Sequence, residues 1–169
     1  MNMQSGVWNK IERIIRIILL FCFRMIHKEL KEDVFQTLMQ FVKFGIIGVT
    51  NTLISYVLNV LSLLLLQPLH VSWDFIAGNV VAFILSVLWS FYWNNRFVFI
   101  SEEGKPRNLW KALLKTYIAY GFTGIILSNV LSWIWISVFG ISKYVAPLIN
   151  LVVSVPLNFV INKLWAFKE

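Results

Sequence analysis

The chain has 169 residues, 59% of them hydrophobic and only 14% charged, with a formal net charge of +7. A soluble domain is about 45–50% apolar and about 25% charged, so this composition lacks the polar surface that water demands and calls for lipid around much of the exterior. The basic residues sit between apolar runs rather than on one soluble face, which points to membrane topology and anionic lipid and away from nucleic acid. Cys22 is the one cysteine, which excludes an intrachain disulfide, and His27 and His70 have no metal-ligand spacing.

Residues 1–32 mix apolar and basic side chains. On a helical wheel of Val7–Lys31, Lys10, Arg13, Arg16, Arg24, His27, Lys28 and Lys31 fall on one side. Trp8, Ile11, Ile15, Ile18, Leu19, Cys22 and Ile26 fall opposite. This predicts an amphipathic helix lying in the headgroup layer, with a re-entrant or partner-docking helix as the alternative. The apolar run Ile17–Phe23 is too short to span, and cations rather than a small-residue cleavage site follow it.

Four apolar segments follow, over residues 41–66, 74–99, 112–139 and 144–167. Each can supply the about 20 residues needed to cross a hydrocarbon core about 30 Å thick. Pro68 and Gly140 break the chain between paired spans, and the connections there are short. The polar linker Ile100–Lys111 separates the pairs. The expected architecture is an all-α membrane protein: a leader helix over 1–32, then a four-helix transmembrane domain over 33–169 arranged as two hairpins.

Orientation follows from the cations. Of the 15 Lys and Arg residues, only Lys143 falls at a hairpin tip. The other fourteen lie on the side of the N-terminus, the linker and the C-terminus, which the positive-inside rule makes cytoplasmic. Trp73, Trp93, Trp110, Tyr144 and Trp165 fall near span ends, where an aromatic belt belongs.

The two hairpins resemble each other. Asn94-Asn95-Arg96-Phe97-Val98-Phe99 closes the second span and Asn162-Lys163-Leu164-Trp165-Ala166-Phe167 closes the fourth, aligned without a gap. Lys43 and Lys115 enter the first and third spans at comparable points. Each hairpin crosses twice, so both copies share an orientation, as in parallel repeats about an axis along the membrane normal. The alternative is that any helix leaving a membrane ends in amides, cations and aromatics.

The spans are rich in amides and hydroxyls. Stripes run along Asn51, Ser55, Asn59 and Ser62; along Asn79, Ser86, Ser90 and Asn94; along Tyr117, Gly121, Gly124, Ser128 and Ser132; and along Asn150, Ser154, Asn158 and Asn162. Hydrocarbon cannot satisfy their hydrogen bonds, so they should face protein or a wet cleft. Helix packing is one reading. The other is a polar groove formed by Asn51, Asn79, Ser86, Ser90, Asn94, Asn158 and Asn162, whose donors and acceptors suit sugar hydroxyls. At the cytoplasmic ends, Lys43, Asn95, Arg96, Lys115 and Lys163 could hold a lipid phosphate, or the cations among them could simply snorkel to ordinary headgroups. None of the eight acidic residues lies in the interior of an apolar span, and only Asp74 stands near a span end, which argues against a carboxylate-coupled proton antiporter. The spans contain no set of residues that would make a hydrolase or transferase site. No enzyme activity, cofactor or metal is expected.

The segment Phe41-Val42-Lys43-Phe44-Gly45-Ile46-Ile47-Gly48-Val49-Thr50-Asn51-Thr52-Leu53 resembles the opening of the GtrA-like family. Asn79-Val80-Val81-Ala82-Phe83, the Asn94–Phe99 closure and Asn158–Phe167 resemble its later segments, in the family's order and spacing. Ser90, Asn95 and Pro147 depart from its usual residues. The resemblance implies a role in cell-surface polysaccharide synthesis in the bacterial cytoplasmic membrane: a flippase for a polyprenyl-phosphate-linked monosaccharide such as undecaprenyl-phosphate-glucose. It further implies a membrane glycosyltransferase as partner. A narrow four-helix bundle leaves room for a lipid-open groove or a homodimer interface. The alternative is a non-transporting subunit that anchors or recruits the glycosyltransferase.

The orientation is testable directly. In a Cys22→Ser background, Ser142→Cys should react with a membrane-impermeant maleimide only from outside intact cells. Lys168→Cys should react only after the membrane is opened; the reverse pattern would overturn the topology.

Overall fold

A computed structural model describes residues 3–25, 27, 29–70, 74–100, 106–143 and 145–168, without the side chains of 3–8, 75 and 147. Val71, Trp73, Tyr144, Ile26, Lys28 and the linker stretch 101–105, and the side chains of Trp8 and Pro147, therefore lie outside the described residues. The chain forms two compact units, Met1–Lys43 and Phe44–Glu169.

In the first unit, α1 covers Met3–Met25. The helix is shorter than the amphipathic pattern of Val7–Lys31 suggested. His27 turns the backbone into the left-handed region (φ 53°), which ends a helix because only short polar residues and glycine tolerate it readily. α2 then starts at Glu32, nine residues before the apolar stretch expected from residue 41, and runs to Leu66. Glu32 and Asp33 in its first turn complement the positive end of the helix dipole, so the helix begins in polar sequence. At about 1.5 Å per residue, its 35 residues span about 53 Å, well beyond the hydrocarbon thickness.

The start of α2 is held to α1 by one bidentate pair. Arg16 donates from both terminal nitrogens to the Glu32 carboxylate, at 3.1 and 2.9 Å. Gln36 donates to the same carboxylate at 2.8 Å, and the Arg16 guanidinium lies 3.9 Å from the ring centroid of the buried Phe35. Arg16 is thus turned to protein, although its place on the wheel put it with the headgroup-facing cations.

In the second unit, α2 ends in a 3₁₀ turn at Gln67–Leu69, with Pro68 inside it and His70 left-handed at φ 50°. α3 covers Asp74–Phe97. The third span is one continuous helical path: α4 (Leu109–Gly121), a π-helical stretch Phe122–Leu127, α5 (Ser128–Trp133) and a second π stretch Ile134–Val138. Asn108 caps its start by accepting a hydrogen bond from the Lys111 N–H at 3.0 Å, which moves the beginning three residues ahead of the expected Ala112. Gly140 takes φ +66° at the second hairpin tip, a conformation glycine adopts without strain. α6 covers Ala146–Ile161 and passes into a π turn at Asn162–Ala166. Among the described residues, four helical paths are long and apolar enough to cross a membrane: Glu32–Leu69, Ile76–Phe97, Leu109–Val138 and Leu148–Ala166. The protein is an all-α membrane protein.

α4 packs against α3 and against the Asn162–Ala166 turn, and α5 packs against α6. The linker and the C-terminal turn therefore lie at one end of this unit. The equivalent ends of α3 and α6 close alike. The Asn94 carbonyl accepts from the N–H of Phe99 at 2.8 Å, and the Asn162 carbonyl accepts from Phe167 at 2.8 Å, each five residues on. The rings that follow are reciprocally packed. Phe99 stacks on Phe167 with centroids 4.6 Å apart. Phe91 meets Phe167 at 5.5 Å and Phe159 meets Phe99 at 5.9 Å. Phe91 and Phe159 stand at equal distances before Asn94 and Asn162. Contact of a residue with its own repeat equivalent, flanked by an exchanged pair, is the pattern of an isologous interface, here within one chain.

Because these rings share one cluster, their contributions should couple. A double-mutant cycle of Phe99→Ala and Phe167→Ala, read by thermal unfolding in detergent, should give a coupling of about 0.5–1.5 kcal/mol. A cycle of Phe99→Ala with Phe139→Ala, at the far end of the third span, should give none.

Candidate functional site

The amides of the second unit divide by whether the protein satisfies them. Asn150, on α6, is buried and fully engaged. Its side-chain NH₂ donates to Ser132 Oγ at 2.7 Å, Ser128 O at 3.0 Å and Ser128 Oγ at 3.1 Å. Its Oδ1 accepts from the Trp135 indole at 3.1 Å. This cluster ties α5 to α6 and is a packing device. Asn129, beside the same stripe, turns to its own helix and donates to Ile125 O at 2.6 Å.

Asn59 and Asn79 form a second pair, joining α2 to α3 near the first hairpin tip. Asn59 Nδ2 donates to Asn79 Oδ1 at 2.9 Å. Gly78 permits this approach: a Cβ there would lie 3.3 Å from Asn59 Nδ2 and 3.5 Å from its carbonyl. Asn79 itself is exposed on the outer surface of the unit.

The third group lies at the other end of α3. Ser90 and Asn94 are buried, at 0% and 1% exposure. Asn94 Nδ2 donates to Ser90 Oγ at 3.0 Å, and Ser90 shares a hydrogen bond with the Tyr120 hydroxyl at 2.8 Å. Asn162, the repeat equivalent of Asn94, is equally buried, and its Nδ2 donates to the Asn158 carbonyl at 2.8 Å. Among the described residues, Oδ1 of both is buried and accepts nothing. Asn51 Oδ1 and the Trp93 indole N–H are also buried without a partner. Ser86 is buried and bonds locally to Phe83 O at 3.3 Å.

The expected groove residues are therefore not one pocket. Ser90 with Asn94, and Asn158 with Asn162, sit near the linker end of their helices. Asn79 is fifteen residues from Asn94 on the same helix, about 22 Å along its axis. Together they mark two levels of the bundle. Tyr120 and Asn59 join these groups although neither was among the expected site residues. A tyrosine inside an apolar span was the available signal for the first, and membership of the Asn51 stripe for the second.

The expected phosphate ligands also separate. Asn95 is occupied by Arg107, which donates to Asn95 Oδ1 at 2.9 Å and to Phe99 O at 2.8 Å. Arg96 is exposed, donates to the Tyr92 hydroxyl at 2.8 Å and lies 5.7 Å from the Phe97 ring centroid. Lys163 lies 5.8 Å from the Phe159 ring centroid. Lys115 donates to Trp165 O at 2.8 Å. Lys43 closes the first unit. Among the described residues, no group of three or more His, Cys, Asp or Glu could hold a metal ion.

The model of the GtrA/DPMS transmembrane domain matches residues 43–167. The chain belongs to this family. No curated protein and no solved structure matches it. GtrA/DPMS membership, together with four membrane-crossing helices, makes it a multi-pass membrane protein of lipid-linked sugar metabolism or translocation. The GtrA/DPMS match begins at Lys43, so α1 and the first turns of α2 precede the family domain.

The contrast between satisfied and orphaned amides makes a stability prediction. Asn150→Ala strands the Trp135 indole and two hydroxyls, and should lower stability by about 1–2 kcal/mol in detergent unfolding. Asn51→Leu removes an amide that bonds nothing among the described residues, and should leave stability unchanged or raise it by up to about 1–3 kcal/mol.

Proposed function

We propose that the protein moves a polyprenyl-phosphate-linked monosaccharide from the inner to the outer leaflet of a bacterial cytoplasmic membrane, with both chain ends in the cytoplasm. The observation that carries this reading is the set of buried amide oxygens of Asn51, Asn94 and Asn162 that accept no hydrogen bond. A buried acceptor without a donor costs about 1–3 kcal/mol, so such atoms are retained where a ligand or water supplies the missing donor. A sugar is a dense array of hydroxyl donors and acceptors, and the polyprenyl tail can stay in hydrocarbon while the sugar passes. The groove would run along Asn51, Asn79, Ser86, Ser90, Asn94, Asn158 and Asn162. Asn79 and its partner Asn59 would serve the outer level, and the Asn94 and Asn162 layer the inner one. Arg96, Lys115 and Lys163 would meet the phosphate on the cytoplasmic side. A membrane glycosyltransferase would supply the substrate, and a homodimer would widen the groove. No step of this reading requires bond making, so the protein acts as a carrier and not as an enzyme.

A second reading, a non-transporting subunit that recruits the glycosyltransferase, is favoured by α1. That helix exposes Ile14, Ile17, Ile18 and Phe21 outside the family domain. The two readings part on one measurement. Purified protein in vesicles should move a fluorescent polyprenyl-phosphate-sugar, and Asn51→Leu, Asn94→Ala and Asn162→Ala should each cut the rate at least about tenfold at unchanged protein level. No movement by the wild type, with a glycosyltransferase lost from pull-down when residues 1–32 are deleted, would replace the first reading by the second.

A further inference from the structure

An open cleft of about 350 Å³ lies where the start of α4 meets the C-terminal turn. Arg107, Asn108, Lys111, Lys115, Trp165 and Lys168 line it. Four cations from two distant parts of the sequence thus share one concavity. The acidic residues Glu102, Glu103 and Glu169 lie outside the described residues, and none of the cleft's lining residues is acidic.

The described lining brings like charges together. Lys111 lies in the first turn of α4, at the positive end of the helix dipole, and no acidic residue is present in that turn. Lys115 follows four residues later on the same face, a like-charge spacing that weakens a helix. The first N–H groups of a helix have no partner in the helical ladder. Asn108, which caps the Lys111 N–H, itself lines the cleft. Two of the cations are built into the walls. Arg107 is locked by its bonds to Asn95 and Phe99 and lies 5.1 Å from the Phe167 ring centroid. Lys115 is fixed by its bond to Trp165 O and lies 5.4 Å from the Trp165 ring centroid. Lys111 and Lys168 are exposed at the rim. Cations held by walls, exposed cations at the rim and a helix start together fit a compact multivalent anion, for which each ammonium offers a charge-assisted hydrogen bond.

We propose that this cleft binds a phosphate group, carried by a lipid headgroup or free in solution. Snorkelling alone does not require it: cations that only seek headgroup level need no shared concavity and no locked partners. The cleft shares Lys115 with the translocation reading but does not rest on it, because a phosphate can bind here whether or not a sugar moves.

The test uses the full chain. In detergent, inorganic phosphate binding is measured by calorimetry. In nanodiscs, retention of phosphatidylglycerol against phosphatidylcholine is measured by native mass spectrometry. Lys111→Gln with Lys168→Gln should weaken binding at least about tenfold. Lys10→Gln with Lys31→Gln, an equal charge loss elsewhere, should change it less than about twofold, and Lys111→Arg with Lys168→Arg should retain it. If phosphate displaces phosphatidylglycerol in a manner that needs Lys111 and Lys168, the headgroup is the ligand. If phosphate binds through those lysines while lipid retention is indifferent to them, free phosphate is. Equal losses in both Gln pairs, or none in either, would overturn the site. Translocation is scored separately: a failed transport assay with intact cleft binding refutes the carrier reading alone.

Discussion

Hydrocarbon offers no hydrogen-bond partner, and the rest of this structure follows from that. The four apolar paths are helical because a helix satisfies its own backbone where water is absent. The amides within them must find partners in protein, or stand unpaired at a cost. Asn150 and the Asn59–Asn79 pair take the first course and hold neighbouring helices together. Asn51, Asn94 and Asn162 take the second with their Oδ1 atoms. That division separates amides that build the bundle from amides that the bundle keeps available.

The reciprocal phenylalanine cluster is the mechanical counterpart. Phe99 and Phe167 can stack only because each preceding helix closes on a wide turn, with the carbonyl of Asn94 or Asn162 bonded five residues ahead. These same asparagines bury the unpaired oxygens. The repeat therefore brings two equivalent polar positions into one layer and seals that layer with aromatic rings.

The charges follow a separate logic. The positive-inside rule assigns most of them to one side, but their local partners differ. Arg16 is spent on Glu32 and Phe35, Arg107 on Asn95 and Phe99, and Arg96 on Tyr92. What remains near the start of α4 is a concentration of ammonium groups around one concavity. A membrane-surface preference accounts for the side on which these groups lie. It does not account for their convergence.

From the sequence alone came the membrane class, the four spans with their breakers at Pro68 and Gly140, and the equivalence of Asn94 with Asn162. Each of these is written in local composition or in spacing along one chain, because apolar length and helix-breaking residues act over a few turns. The family resemblance at Phe41–Phe167 held over nearly the same residues as the family match. The fate of each polar side chain was not legible there. Asn150 and Asn51 look alike within their stripes, yet one is satisfied four times over and the other bonds nothing among the described residues. Asn95 and Lys115, both expected as phosphate ligands, ended in different roles, because Arg107 reached back from the linker to claim the amide. The π stretches of the third span and the meeting of Lys111 with Lys168 were equally hidden. Pairing of this kind depends on which residue of another helix arrives at hydrogen-bond distance, and only the packed chain decides that.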